Sequence, residues 1–347
     1  MAKAFTDNPE KRVVRDRWNF PVLDFLHRTY GIKYRYFGLP GPDMLDVLEW
    51  KHMIDEVVAF QIPDQAGNLR ASMEQLRRTM RLKSIRGNTY FGSFEDVVLR
   101  RQDNDGIRYV QNNVITLYNL DFCNEICSPI RTGGTDKVVR FQAIRRIIND
   151  QSDCYAKLRA GSSLKPPPSM FIMLLTVRNQ ISVANARKYL RNSVRTKLFR
   201  AQCESLERLP PSGQLMGTHS WVLKALIYDM LCTYFGTPHI SALFFPSVLY
   251  TGTPIVKADE APVPSPMIHW MVLGNFADPS EAVPNLSPED FLQKSSGLVS
   301  LQTQSIAWRA QSGEQPDTGA IDPLKWLHAY GGDVRPGLNV PGMAITQ

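Results

Sequence analysis

Short apolar runs alternate with amphipathic stretches along most of this chain. Residues 33–37 form an apolar and aromatic run, followed by the turn Gly38-Leu39-Pro40-Gly41. Residues 43–52 then turn Met44, Leu45, Leu48 and Trp50 to one side at helical spacing. The pattern repeats with a β-rich run at 56–61 and a helical period over 69–81. A third run covers 88–92, with a helix expected through 94–101. Residues 114–121 are the clearest strand, and a helix is expected over 136–150. Residues 170–177 are apolar but for Thr176, as in a strand buried on both faces.

The flanks follow other patterns. Residues 1–13 are polar and expected to be poorly ordered; a helix over 14–30 would bury Trp18, Val22, Phe25 and Leu26, with Pro21 kinking or splitting it. Helices are expected near 183–206 and 218–234. Two β-rich runs follow, 240–250 (broken by Pro246) and 267–273. No helix-length segment separates them, so they should pair antiparallel. Strands alternating with helices predict an α/β fold: a Rossmann-like, mostly parallel sheet of about seven strands, helices on both faces and a terminal antiparallel hairpin. Residues 1–275 are read as this domain and 276–347 as an acidic extension of helix and loop, packed on the domain or on a partner. Within it, Ser287-Pro288 and Asp322-Pro323 each place a cap residue before a proline at a helix start.

Charge adds an asymmetry. Residues 1–250 carry 35 Lys and Arg against 23 Asp and Glu, a net of +12; residues 251–347 carry 5 against 10, a net of −5. The basic part suits nucleic acid or an acidic protein partner, and the acidic tail could instead fold against it. Five scattered cysteines without a Cys-x-x-Cys pair fit a reducing, cytoplasmic setting, and no metal site is expected. No apolar run is long enough to cross a membrane, and the first residues lack a signal peptide's apolar core. Oligomeric state is not readable.

The strand, glycine turn and helix at 33–52, with the order of elements after it, resemble the class I S-adenosylmethionine-dependent methyltransferase family over about residues 14–275. In that family five parallel strands are followed by a sixth and an antiparallel seventh. The resemblance implies S-adenosyl-L-methionine as cofactor, with Gly38 and Gly41 bordering its methionine part. Pro40 departs from the family's small residues and removes an amide donor. The family's acidic ribose ligand falls at Gln61, which binds a diol less strongly; Asp64 could substitute if the loop folds back. Ser93 and Phe94 match the adenine-binding segment, whereas Glu95 and Asp96 suit the first turn of a helix. Asp121 matches the first catalytic-loop position, where it could orient or deprotonate an acceptor, or simply cap the next segment. The prolines of that loop are absent, and Cys123 lacks the Pro-Cys context of a nucleophile.

Arg187, Arg191 and Arg195 recur every four residues on one helix face, a phosphate-binding candidate or a solvated surface. Two functions stay open. One is methyl transfer to nucleic acid or protein. The other is a non-catalytic scaffold or binding subunit of a larger assembly, such as a bacterial defence complex. Gln61, Pro40 and the incomplete catalytic loop favour the second. A dehydrogenase is disfavoured, because Gly-x-Gly-x-x-Gly is not met.

Overall fold

The computed structural model describes residues 9–64, 68–122, 124–127, 130–132, 135–137, 140–161, 168–191, 204, 206–216, 223, 240–245, 247–255, 263–276, 303–305 and 323–330. The strands are β1 (Tyr34–Gly38), β2 (Ile54–Gln61), β3 (Gly87–Phe91), β4 (Leu117–Asp121), β5 (Ile130–Thr132), β6 (Thr135–Lys137) and β7 (Met170–Arg178). They continue with β8 (Gln180–Ser182), β9 (Gln214–Met216), β10 (Ile240–Phe244), β11 (Ser247–Ile255), β12 (Val263–Phe276) and β13 (Thr303–Ser305). The helices are α1 (Pro9–Val13), α2 (Phe20–Tyr30), α3 (Leu45–Glu49), α4 (Ala71–Leu82), α5 (Phe94–Arg100), α6 (Arg140–Gly161), α7 (Val183–Arg191) and α8 (Pro323–Tyr330).

The main sheet runs β3-β2-β1-β4-β7-β12-β11-β13, with β10 pairing on β12 beyond the end of β11. Strands β3, β2, β1, β4 and β7 are mutually parallel; β12 runs antiparallel to β7, and β11 antiparallel to β12. This is the expected Rossmann-like fold, five parallel strands followed by a sixth and an antiparallel seventh. The chain leaves β1 towards β2 on one side and returns with β4 on the other. The order therefore reverses between β1 and β4.

Side-chain alternation explains the layers. In β7, Phe171, Met173, Leu175 and Val177 join one core with Phe37, Phe60, Phe94, Tyr118 and the buried faces of α5 and α6. Met170, Ile172 and Leu174 join the other with Tyr34, Tyr36, Trp18, Leu26, Val47 and Leu76. The parallel sheet is thus covered on both faces, as such sheets must be.

Several expectations need correction. The first helix begins at Pro9, not 14, and continues unbroken to Tyr30 through a π-helical turn at Val14–Asn19. Pro21 does not split it, because it falls at the start of α2. The helix expected over 136–150 is Arg140–Gly161, preceded by the hairpin β5–β6. The two β-rich runs extend beyond their expected ends at 250 and 267, since β11 and β12 pair as far as Ile255 and Val263. The 183–206 helix is described to Arg191. Apart from Leu223, the 218–234 segment lies outside the described residues, as does Ser287-Pro288. From the acidic extension, β13 joins β11, and α8 packs Leu324 and Leu327 into the second core.

Candidate functional site

The three segments singled out for the nucleoside end adjacent strands at one edge of the sheet. Gly38 pairs with Ala59 and Gln61 with Phe91, while the Gly92 amide donates to the Gln61 carbonyl at 2.9 Å. Gly38 is required for a packing reason. A Cβ there would stand 2.2 Å from the Asn119 carbonyl oxygen, to which the Leu39 amide donates at 3.1 Å. Gly41 has φ 68°, a conformation L-residues rarely adopt, and its carbonyl accepts from the Met44 amide.

Around these glycines several side chains already have structural partners. Gln61 is buried and its Nε2 donates to the Ile62 carbonyl at 3.3 Å. Asp64 accepts from the Ser72 amide at 2.8 Å and from its hydroxyl at 2.5 Å, which ties it to the first turn of α4 and lowers its pKa. Ser93 is the N-cap of α5, its Oγ accepting from the Asp96 amide at 3.1 Å. Phe94 lies in the core, ring centroids 6.0 Å from Phe37 and 5.8 Å from both Phe60 and Phe122. Glu95 stands in the first turn of α5, as expected, and has a partner besides. It is buried and accepts from Arg140 Nε at 2.6 Å, and the Arg140 guanidinium also lies 4.1 Å over the Phe122 ring. This clamp holds the chain just after β4.

A cleft that the sequence did not disclose lies under the first helix, against the carboxyl ends of β4 and β7 and against β11 and β12. It is about 20 Å³, room for one water-sized occupant. Its lining includes Lys11, Arg15, Asn19, Asp46, Trp50 and Asn119, with Asp121, Thr176, Tyr250 and His269. Asp121, Thr176 and His269 are register neighbours across β4, β7 and β12. The cationic wall comes from the first helix. Lys11 pairs with Asp121, and Arg15 Nε stands 2.8 Å from Asp46 Oδ1 and its Nη1 3.2 Å from Glu49 Oε2. An α-helix drifts by about 40° over four residues. The wider i→i+5 turn from Val14 reverses that drift, which lets Lys11, Arg15 and Asn19 share one side.

Hydrogen bonds continue across the floor. Asn119 Nδ2 donates to Tyr36 Oη at 3.1 Å and to Asp46 Oδ2 at 2.7 Å. His269 joins Thr176 Oγ1 through Nδ1 and Asn19 Oδ1 through Nε2, both at 2.8 Å. Burial, and then Lys11, push the His269 imidazole down to about 3, so it is neutral at physiological pH. Its Nε2–H therefore donates to Asn19, and the Thr176 hydroxyl donates to Nδ1. For Lys11, burial opposes the charge, but Asp121 and Asp46 outweigh it and hold the ammonium above its ordinary value. The indole N–H of Trp50 is buried without a hydrogen-bond partner beside this cleft.

Signals for this network were in the sequence. Asn119, Asp121, Thr176 and His269 are polar residues on one face of otherwise apolar strands. Only Asp121 was singled out as a site, because the others required the strand register, and Lys11 lies in a segment read as disordered.

Of the basic helix face, only the Arg187 side chain is among the described residues. Arg187 donates to the carbonyls of Leu206, Glu207 and Leu209 at 2.5–3.2 Å and is only 17% exposed. It is a clamp on that turn rather than an exposed phosphate ligand. The Arg191 side chain, Arg195 and Cys123 lie outside the described residues. Of the described cysteines, Cys127 is buried, which pushes its thiol up to about 12, far from thiolate chemistry. Among the described residues no helix is long and apolar enough to cross a membrane.

No protein-family model and no curated protein matches this chain. Solved structures do. The O-methyltransferase TomG of Streptomyces achromogenes, in complex with SAM, is 7% identical over 80% of this chain and 93% of its own, with a TM-score of 0.33. The YcgJ protein of Bacillus subtilis is 11% identical over 75% and 99%, at 0.30. The methyltransferase domain of bacterial CtHen1 is 11% identical over 74% and 98%, at 0.26. Similarity this distant adds nothing to what the strand order already establishes about the fold.

Proposed function

We propose that this chain is an S-adenosylmethionine-dependent methyltransferase whose donor binds where the strand order reverses. The observation that carries this reading is the position of the polar cleft, at the carboxyl end of β4 beside the point where the strand order reverses. Ligands of open α/β sheets collect at that switch point. Gly38 and Gly41 are buried in the turn that leads from β1 towards α3, from which Asp46 reaches the cleft. Asp46 and Asp121 supply negative charge suited to a cationic ligand. At the adjacent corner Gln61 offers one amide oxygen as acceptor, and Ile62, 56% exposed, offers apolar cover for a base.

The donor supplies an already activated methyl group, so the protein's work is mainly placement. In this reading Asp121, last in β4 and paired with Lys11, serves the donor's cationic group rather than the acceptor's proton. The Glu95–Arg140 pair steadies the chain that follows it. Nucleic acid and protein are both suitable acceptors. The non-catalytic reading is favoured by Asp64, whose carboxylate is engaged by Ser72, so no free acid replaces the missing ribose ligand at Gln61.

Calorimetric titration with S-adenosylmethionine and S-adenosylhomocysteine separates the two. One-site binding is expected, for the chain as it stands or for Lys11→Met, which frees Asp121. Silence from both proteins at millimolar ligand overturns the enzyme and leaves the scaffold.

A further inference from the structure

We infer that Lys11 of the first helix is an internal latch: it occupies the cation position of the cleft, and a cationic ligand binds Asp121 by displacing it. This rests on the donor-binding reading above and goes beyond it by naming what the donor competes with.

The geometry supports competition on three counts. First, the cleft as it stands is too small for more than a water-sized group. A nucleoside-sized ligand can enter only if a lining side chain leaves. Lys11 suits that role, because its side chain is 31% exposed whereas its partner Asp121 is 9% exposed. Its long stem can swing towards solvent without leaving a buried charge of its own. Second, Asp121 is fixed at the end of a central strand, whereas Lys11 reaches it only through a long side chain. Lys11 lies in the helical segment just before the π-helical turn, a local geometry enriched at functional sites. Third, the Trp50 indole N–H beside the cleft is an unused donor. A ligand carrying both a cation and an acceptor group would use Asp121 and this donor together. An α-amino acid moiety has that chemistry.

Displacement makes a quantitative demand. A ligand that must first expel Lys11 binds more weakly by the strength of that internal contact, a coupling usually worth about 5- to 150-fold in affinity.

The test uses the full chain with two substitutions. Lys11→Ala removes charge and stem; Lys11→Met keeps the stem packed and serves if the alanine variant does not fold. Each is titrated with S-adenosylmethionine, and hydrogen exchange is followed over residues 9–19. Expected are tighter binding by both variants, by about 5-fold or more, and faster exchange of 9–19 in the wild type when ligand is added. Binding by Lys11→Met but not by the wild type supports the latch and the donor site alike. Equal or weaker binding by the variants, with the wild type still binding, overturns the latch and leaves the donor site standing. No binding by any of the three proteins overturns the donor-site reading, and the latch with it.

Discussion

Glu49 and His269 respond to pH in opposite directions. Burial, and then the hydrogen-bonded like charge of Asp16, push the Glu49 carboxyl up to about 7, against an ordinary value of 4.5. Between those values the folded protein holds a proton that the unfolded chain has released. Glu49's contribution is therefore full below about pH 4.5 and is lost as pH rises through about 7. His269 is the reverse case. Its folded value near 3 lies below the ordinary 6.5, so the unfolded chain binds the extra proton, and its contribution is lost as pH falls from about 6.5 towards 3. The two slopes oppose each other over the shared interval. We predict that Glu49→Gln steepens the loss of stability on acidification between about pH 6.5 and 4.5 by removing the opposing slope. His269→Gln should flatten the same limb. Urea denaturation at stepped pH measures both; curves parallel to the wild type would show that neither side chain couples to folding. Neither residue stood out in the sequence. A histidine within an apolar run becomes informative only once its strand register places it beside Thr176 and Asn19.

At the scale of elements, β7 carries the sheet. It lies between β4 and β12 and pairs with both along most of its length. Leu174 is fully buried on the face shared with α2 and α3. We predict that Leu174→Asp abolishes folding, because an unpaired carboxylate there costs several kcal/mol. Retained far-UV circular dichroism and a cooperative melt would show that the strand tolerates what a central strand cannot. This strand was legible because a continuous apolar run has few alternatives in an α/β chain. The same holds for the order of elements through β4 and for the strand edge shared by Gly38, Gln61 and Ser93. The start of the first helix was not legible. Residues 9–13 are mostly polar, and their helix is justified by the pairing of Lys11 with Asp121, more than a hundred positions away. Local pattern carries no record of such pairs. The same limit hid Arg187, whose helical spacing looked like a surface face until its carbonyl partners from residues 206–209 were in place.

Across the whole molecule, the N-terminal and C-terminal regions meet on one face of the sheet. α8 packs on α2, with Phe25 and His328 edge to face at 5.0 Å and Leu327 nearly fully buried in the second core. β13 extends the far edge of the same sheet beside β11. The acidic extension therefore uses the domain's own core, and its described parts lie against α2 and β11 rather than the Arg187 helix. α2 is continuous with the turn that carries Arg15 and with the helix that carries Lys11. A tail docked on α2 thus braces the segment that covers the cleft. If the extension is a separable appendage, Leu327→Asp should undock α8 while the sheet persists, because the substitution places a charge in a contact made by one short helix. Limited proteolysis should then cut between 277 and 322 faster than in the wild type, and the trimmed domain should keep its far-UV spectrum. Exchange over residues 9–30 should also rise, since the brace on α2 is gone. A single cooperative loss of all structure would instead make the extension part of the domain's core and move the boundary expected at 275 to the end of α8.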